Sequence, residues 1–345
     1  MCIGPQFRGS NAAGLFKSLA THGHIISIID EFYYIPLLAS MKRLKLINRI
    51  FRNLYIKNFN DAIVAEFNKF KPDVVLVYKG AFILPITLNT IKNNALLLNF
   101  YPDVSFHTHG PYLKQSLKLY DHIFTTKKFG ISDLREQLGI DLISFIPHGF
   151  DPDIHRNLSI PDIEFDSLKC DVSFIGTWSP KKEKTLSYLK SRLPDISLKI
   201  WGNQWEKSIS DNLKNSIQGY PVEGDLYAYA ILSSKINLGI LSEKVRGASS
   251  GDKITSRTFH IPAVGGFMIH ERNEESITYF EEDKEVVFFD TQDELFEKVS
   301  YYLGNLQEVE QIADRGYLRA HKDHSLDERA KQMIEIVEKI QRKEL

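Results

Sequence analysis

The sequence has little cysteine, no long apolar run and no excess of charge of either sign. Its 345 residues include two cysteines, Cys2 and Cys170, too few for a disulfide framework or a cysteine-based zinc site. No stretch approaches the roughly 18 consecutive apolar residues of a membrane-spanning helix. Lys and Arg total 43 against 44 Asp and Glu, a net charge of -1. Because nucleic-acid binders usually carry a basic excess, this balance argues against a nucleic-acid partner.

The composition is otherwise that of a globular protein. Hydrophobic residues make up 43% of the chain and aromatic residues 12%, enough to form real cores. The length predicts about two domains at roughly 150 residues each. The first residues lack the basic and apolar regions of a signal peptide, so we expect a cytoplasmic protein.

Short apolar runs alternate with helical patterns in both halves of the chain. This alternation is typical of parallel sheets covered by helices, so the predicted class is α/β with doubly wound domains. Strands are predicted at 25–29, 74–78, 96–100, 123–125, 143–146, 171–176, 197–202, 236–240, 266–269 and 286–289. Helices are predicted at 11–21, 131–138, 181–193, 226–233, 255–262, 294–302, 309–320 and 326–342.

The turn-rich segment 147–153 and the polar sequence after it indicate a domain boundary. We therefore predict an N-terminal domain over 1–160, a second domain over 161–325 and a C-terminal helix over 326–345 that packs back toward the first domain. Two doubly wound domains in tandem place a ligand cleft between the carboxyl ends of both sheets.

Several familiar motifs are absent. The sequence contains no G-x-G-x-x-G, no Walker A loop, no H-E-x-x-H and no G-x-S-x-G. Asp151-Pro-Asp153 matches a D-x-D pattern that can hold a divalent cation, but a Pro-Asp turn explains it as well. His107, His109 and His148 give no ligand spacing either, so we predict no metal site.

Two Gly-containing turns are candidates for binding an anion. Gly9-Ser10 opens the first helix, and Gly176-Thr177-Trp178 follows a predicted strand. Small residues at a helix N-terminus let a ligand approach unsatisfied N–H groups, although a tight turn with an ordinary cap is the alternative for both. Tyr220, in the loop 219–223, could flank a base, or the loop could be a plain turn.

The densest segment is 246–266. It gathers the cations Arg246, Lys253 and Arg257 before a helix start, with glycine and serine between them. Such an arrangement favours a pyrophosphate, while a solvated basic turn is the alternative. Gly265 ends the helix and lets it pack close to the next strand.

The run Arg257-Thr-Phe-His-Ile-Pro-Ala-Val-Gly-Gly-Phe-Met-Ile-His270 resembles the R-x-F-E-I-x-A-x-G-x-x-x-L run of spore-maturation-type (CgeB-like) glycosyltransferases, which belong to the glycosyl transferases group 1. Further landmarks of that family are resembled, in order, by 121–125, 146–155, 174–176, 202–205, 234–238 and the closing His324-Ser-Leu-Asp-Glu-Arg329. The resemblance covers roughly residues 95–330.

The resemblance implies a GT-B fold, in which two Rossmann-like domains face a central cleft. It implies transfer of a sugar, as by a hexosyltransferase of cell-surface polysaccharide biosynthesis, from a nucleoside-diphosphate sugar on the second domain. The acceptor on the first domain would be a glycan, a lipid-linked glycan or a protein. It further implies retention of the anomeric configuration, no metal and no cofactor beyond the donor.

One departure from the family pattern affects the donor site. Related enzymes carry E-x7-E, whereas this chain has Asp252 and His260 at that spacing. Imidazole can bond a ribose hydroxyl but offers no pair of carboxylate oxygens. A catalytically degenerate sugar-nucleotide-binding or partner protein and a sugar-nucleotide epimerase of the same fold therefore remain alternatives.

Catalytic candidates come from both halves. Asp252 matches the family residue near the donor sugar, and the loop 101–110 contributes His107, His109 and Asp103. Either histidine could hydrogen-bond the donor sugar or the acceptor, or both could be structural.

Basic and apolar residues alternate over 41–57, which is typical of an amphipathic helix. It is either an ordinary surface helix or a dock for anionic lipid headgroups, which would place the protein peripherally at the inner face of the membrane.

Overall fold

The computed structural model describes residues 1–35, 42–159, 166–342 and 344, without the side chains of 42–49. The chain divides into two compact units. Unit 1 comprises Met1–Pro147, Lys244–Ser250 and Ala330–Leu345, and unit 2 comprises His148–Glu243 and Gly251–Arg329. The short segment 244–250 thus belongs to unit 1 although both of its flanks belong to unit 2.

Unit 1 is built on a parallel sheet of six strands. The strands are β1 (Cys2–Gly4), β2 (Ile28–Asp30), β3 (Val74–Tyr78), β4 (Leu96–Tyr101), β5 (His122–Thr125) and β6 (Ile143–Phe145). The helices are α1 (Asn11–Thr21), α2 (Glu31–Tyr34), α3 (Lys42–Phe70), α4 (Pro85–Ile91), α5 (Leu113–Leu117) and α6 (Lys128–Leu138). The strand order is β2-β1-β3-β4-β5-β6, so the winding direction reverses between β1 and β3.

The core of unit 1 lies on both faces of this sheet because successive strand residues point to opposite sides. Val75 and Val77 pack with Phe59 of α3 on one face. Leu76 packs with Phe16 of α1 on the other face.

Unit 2 has a parallel sheet of five strands. They are β7 (Cys170–Ile175), β8 (Leu198–Trp201), β9 (Ser234–Gly239), β10 (Met268–Glu271) and β11 (Val287–Phe289). The helices are α7 (Pro180–Arg192), α8 (Asp225–Leu232), α9 (Ser256–Val264), α10 (Gln292–Leu303) and α11 (Leu306–Asp323). The order β11-β10-β9-β7-β8 puts the reversal between β7 and β9. The last helix, α12 (Leu326–Gln341), starts in unit 2 and belongs to unit 1 from Ala330 onward.

The two parallel sheets confirm the predicted α/β class. Nine of the ten predicted strands agree with the structure within two residues at each end. The prediction at 25–29 is wrong at its start, because β2 begins at Ile28 and Ile25 is 86% exposed. The sequence analysis also missed α2, α4 and α5. Among the described residues, no helix is long and apolar enough to cross a membrane.

A close backbone approach joins the ends of β7 and β8. Gly202 has φ +140, and a Cβ there would lie 2.1 Å from the carbonyl oxygen of Gly176. The same carbonyl accepts a hydrogen bond from Trp205 Nε1 at 2.8 Å. Residue 202 must therefore be glycine for the two loops to meet.

We predict that Gly202→Ala destabilises unit 2 by roughly 1–3 kcal/mol, because it combines a strained φ with a backbone clash. Urea unfolding followed by Trp fluorescence measures the change. Gly304→Ala is the matched control, since residue 304 has φ -87 and a Cβ there would meet only Tyr301 O at 3.5 Å. Equal stability of the two variants would contradict the argument.

Candidate functional site

Lys182 lies at the carboxyl edge of the unit 2 sheet, where β7 and β9 end. Ser179 caps α7 and Pro180 starts it, which places Lys182 in the first turn. Its Nζ donates to the carbonyl oxygen of Thr177 at 3.0 Å and to Ser242 Oγ at 2.9 Å. The side chain therefore bridges the loops that follow β7 and β9, at the reversal point where open α/β sheets bind ligands.

Arg257 occupies the same edge from the first turn of α9. Its Nη2 donates to Ile240 O at 2.9 Å, and its guanidinium carbon lies 5.1 Å from the centre of the Phe174 ring. Lys182 Nζ lies 6.0 Å from the same ring. Gly176 leaves the space that the guanidinium needs, because a Cβ there would lie 2.7 Å from Arg257 Nη1.

Lys182 is buried and Arg257 is half-buried, and both lack a direct counter-ion. Neither makes an ion pair within 4 Å in the part of the chain that the structure describes. Burial, with the charge of Arg257, lowers the pKa of Lys182 to about 7, although Asp252 acts in the opposite direction. Burial also lowers the pKa of Arg257. A dianionic ligand such as a diphosphate would stabilise both positive charges.

Sequence reasoning missed Lys182 and grouped Arg257 with two other cations. In the structure, Lys253 forms an ion pair with Glu274 at 3.1 Å. Arg246 belongs to unit 1, where its backbone oxygen accepts a hydrogen bond from Ser105 Oγ at 2.7 Å. The Ser-Pro cap after the Gly-Thr turn was the signal that could have identified Lys182.

The start of α9, which carries Arg257, is tied to strand β10. Thr255 and Thr258 form a capping box, and Thr258 Oγ1 lies 2.8 Å from Nε2 of the buried His270. The Nδ1 of His270 donates to Glu271 O at 2.7 Å. Gly265 ends the helix with φ +94.

His260 is occupied inside unit 2. Its Nε2 donates to the carbonyl oxygen of Gly149 at 3.1 Å, and its ring stacks on His155 with 3.6 Å between the centres. The Tyr227 ring meets it edge-on at 5.8 Å. Burial lowers the pKa of His155 to about 4 and that of His260 well below 6.5, so both rings are neutral at pH 7.

Trp178 is fixed by a carboxylate that also fastens the loop after β8. Glu183 Oε2 accepts from Trp178 Nε1 at 2.7 Å, and Oε1 accepts from the backbone N–H groups of Ile209 and Ser210 at 2.8 Å each. Burial would raise the pKa of Glu183, but these and neighbouring hydrogen bonds outweigh it and lower the pKa to about 2. The predicted base-flanking residue Tyr220 follows this loop in the chain, and its side chain is 45% exposed.

In unit 1, Gly9 and Ser10 form the turn before α1. Ser10 Oγ donates to Pro5 O at 2.9 Å and accepts from Ala13 N at 3.5 Å. Gly9 has φ +90. The hydroxyl thus has two partners within the turn, as expected of an ordinary helix cap.

The two histidines of the loop 101–110 have different surroundings. His107 Nε2 contacts Gln137 Oε1 at 2.8 Å, and Gln137 donates to Gly247 O at 2.9 Å. His109 Nε2 lies 3.1 Å from Asp103 Oδ2. His107 therefore connects α6 with the segment 244–250, and His109 faces a carboxylate.

The D-x-D segment forms a turn. Asp153 N donates to Asp151 Oδ1 at 3.0 Å. Among the described residues, no group of three or more His, Cys, Asp or Glu side chains could hold a metal ion.

The closing His324–Arg329 motif has a structural role in unit 2. Arg329 donates to His148 O and contacts His324 Nδ1, each at 3.1 Å, while His324 Nε2 donates to Tyr279 O. The motif thereby holds the segment that begins at His148.

Comparison with known proteins places this geometry in a known fold. Residues 181–335 match a family model described as glycosyl transferase-like. No curated protein sequence matches the chain.

Three solved structures are similar over nearly the whole chain. Sucrose-phosphate synthase from Thermosynechococcus elongatus is 13% identical, with a TM-score of 0.66 and 99% of each chain covered. A glycosyltransferase from Rickettsia africae is 15% identical, with a TM-score of 0.64 and 98% of each chain covered. HepE from Anabaena in complex with UDP-glucose is 11% identical, with a TM-score of 0.64, covering 98% of this chain and 99% of that one. The chain has the GT-B fold, with two Rossmann-like units, while the spore-maturation-type subfamily stays a prediction.

The stacked histidines predict an acid-sensitive unit 2. In the unfolded chain His155 takes up a proton below its ordinary pKa of 6.5, whereas in the folded protein it stays neutral down to about 4. The neutral state of His155 therefore contributes about 3 kcal/mol to the free energy of unfolding. This contribution is complete above pH 6.5 and is lost as pH falls toward 4. Urea unfolding at several pH values between 7 and 4.5 measures it.

His155→Phe keeps a ring against His260 and should flatten this pH dependence. His24→Gln, which alters an exposed histidine of unit 1, should leave it intact. An unchanged slope in His155→Phe would show that other groups cause the acid sensitivity.

Proposed function

We propose that the protein is a glycosyltransferase that moves a sugar from a nucleoside-diphosphate donor to an acceptor hydroxyl. The observation that carries the proposal is the pair of cations at the reversal point of the unit 2 sheet, of which Lys182 is buried and Arg257 half-buried. The glycosyl transferase-like match over 181–335 includes both residues. HepE, a structural neighbour, was solved with UDP-glucose, which supports a uridine nucleotide and a hexosyl donor as first candidates.

The two cations would stabilise the leaving group. Transfer breaks the bond between the anomeric carbon and the diphosphate, and negative charge develops on the departing oxygen. Positive groups fixed before the reaction stabilise such charge without reorganisation. Lys182 and Arg257 are held by Thr177, Ser242 and Ile240, so their positions do not depend on the ligand. We therefore propose that the reaction needs no metal ion.

The acceptor, by this proposal, binds unit 1 and is a glycan, a lipid-linked glycan or a protein, as in the synthesis of a surface polysaccharide. Retention of configuration, implied by the resemblance, would let the departing diphosphate itself accept the acceptor's proton.

The internal contacts of His260 favour a second candidate. With Nε2 bonded to Gly149 O, the ring has a structural partner where related enzymes place a ribose-binding carboxylate. A catalytically degenerate nucleotide-binding protein would keep Lys182 and Arg257 and lose turnover.

We predict that Lys182→Met and Arg257→Met each weaken UDP binding at least 10-fold, because each removes a positively charged partner of the diphosphate. Isothermal titration calorimetry in the presence of EDTA measures the affinity and tests metal independence at once. Lys184→Met, which alters an exposed lysine of the same helix, is the matched control and should bind UDP normally.

Unchanged affinity in both variants would overturn the assignment of the diphosphate site. Incubation with UDP-glucose and other nucleotide sugars, followed by product analysis, then separates the candidates. Released UDP with a glycosylated product indicates transfer, an isomerised nucleotide sugar indicates an epimerase, and binding without turnover indicates the degenerate protein.

We also propose that α3 docks unit 1 on an anionic membrane surface, at the cytoplasmic face. Three apolar side chains of this helix point into solvent: Ile50 is 68% exposed, Phe51 47% and Leu54 49%. The sequence places Arg49, Arg52 and Lys57 among them and three further cations at 42–45. Apolar side chains flanked by cations suit a surface of anionic headgroups.

We predict that Phe51→Glu reduces cosedimentation with phosphatidylglycerol vesicles several-fold, because it removes apolar contact and adds a like charge to the lipid. Ile209→Glu is the control, since Ile209 is 91% exposed but lies in unit 2. Docking through α3 would be contradicted if the unmodified protein bound pure phosphatidylcholine vesicles as well as phosphatidylglycerol vesicles. It would also be contradicted if Phe51→Glu and Ile209→Glu lost vesicle binding equally.

A further inference from the structure

One buried hydroxyl of unit 2 has no hydrogen-bond partner. Tyr227 lies in α8, and its side chain is 9% exposed. Its hydroxyl oxygen is shielded from solvent and bonds to no polar group among the described residues. A buried polar atom in that state costs free energy, and folded proteins contain few of them. The position of this hydroxyl therefore calls for a reason outside the stability of the fold.

Two imidazole rings hold the Tyr227 ring in place. The ring of His155 meets it edge-on with 5.7 Å between the centres, and the ring of His260 does so at 5.8 Å. Helix α8, which carries Tyr227, packs against α9, which carries His260. The core of unit 2 thus fixes the hydroxyl before any ligand binds.

Arg257 and His260 share one face of α9, because residues three apart in a helix are neighbours on its surface. The Tyr227 ring packs against His260 on this face, which brings its hydroxyl near the guanidinium. The electrostatics agree, since burial raises the pKa of Tyr227 while the charge of Arg257 acts in the opposite direction. At pH 7 the hydroxyl keeps its proton and can donate a hydrogen bond.

Arg257 also has an unused donor. Its Nη2 donates to Ile240 O at 2.9 Å, whereas its Nε is shielded from solvent and has no partner among the described residues. His260, by contrast, already uses Nε2 on Gly149 O. Two neighbouring donors, the Tyr227 hydroxyl and Arg257 Nε, therefore lack an acceptor. An anionic oxygen with several lone pairs suits both of them, and charge makes such hydrogen bonds strong.

We propose that the Tyr227 hydroxyl is a further ligand of the donor and donates a hydrogen bond to the diphosphate that Lys182 and Arg257 bind. This inference rests on the proposed transferase function. The partner is a phosphate oxygen rather than the sugar or the base, because the hydroxyl is paired with a cation. The empty protein keeps the hydroxyl unsatisfied, and the diphosphate supplies the missing acceptor.

Tyr227→Phe should act in opposite directions on affinity and stability. UDP affinity, measured by isothermal titration calorimetry, should fall about 10-fold, because a hydrogen bond to a charged group is lost. The urea midpoint of the ligand-free protein should rise, because the unsatisfied hydroxyl is removed. Trp fluorescence records the midpoint, since all three tryptophans lie in unit 2. A lower midpoint with unchanged UDP affinity is the result of a structural hydroxyl and overturns the proposal.

Tyr279→Phe is the matched control in the same unit. The Tyr279 hydroxyl donates to Glu275 Oε1 at 3.4 Å, so its removal breaks a hydrogen bond that the empty protein already makes. The variant should bind UDP normally and should not gain stability. If both phenylalanine variants changed affinity and midpoint alike, the effects would not belong to the unpartnered hydroxyl, and the proposal would fall.

Partial ligands identify the group that the hydroxyl contacts. Inorganic pyrophosphate and uridine are titrated separately as competitors of UDP. Tyr227→Phe should weaken pyrophosphate about as much as UDP and leave uridine within about 2-fold. Weakening of uridine alone would assign the hydroxyl to the nucleoside and overturn the proposal. If the unmodified protein bound no UDP, the proposed function would fail as well, whereas normal UDP binding by Tyr227→Phe contradicts this inference alone.

Discussion

The carboxyl edge of the unit 2 sheet holds two positive charges, a buried Lys182 and a half-buried Arg257, that form no ion pair among the described residues. Lys182 and Arg257 flank one aromatic ring and are held by backbone carbonyls and a serine hydroxyl rather than by carboxylates. Isolated buried charges are expensive, so the surroundings must hold them firmly. Position 176 must be glycine because the Arg257 guanidinium occupies the space that a side chain there would need. The capping box of α9 and the buried His270 fix the turn from which Arg257 projects.

The two units repeat one topology with opposite chemistry. Both sheets are parallel and reverse their winding between two central strands, and each carries its charged groups at the carboxyl edge there. In unit 2 the edge is cationic and suits a leaving diphosphate. In unit 1 the edge combines a carboxylate, an imidazole and a single lysine. The net charge of -1 therefore does not show that the two sheet edges differ in charge.

The sequence predicted the fold well because strand periodicity and helix caps are local. Helix α1 was predicted with its observed bounds, since Ser10 caps one end and a glycine follows the other. The short helices α4 and α5 were missed because five to seven residues carry too little periodicity. Among the site residues, Arg257 was predicted because it begins the family-like run 257–270. The grouping of Arg257 with Arg246 stays a prediction, because the chain leaves unit 2 at Lys244 and returns at Gly251. Likewise, no spacing could show that Lys182 meets Ser242, 60 residues later, or that His109 rather than His107 faces Asp103.

The position of α12 in unit 1 has a consequence for folding during synthesis. Ala330 and Met333 of α12 lie in the same apolar cluster as Phe16 and Leu76, so unit 1 encloses one of its cores with residues from the far end of the chain. A domain whose residues are contiguous can fold on the ribosome as soon as it emerges. The sheet of unit 1 is synthesised before unit 2, but the apolar face that contains Phe16 and Leu76 stays exposed until α12 has been made.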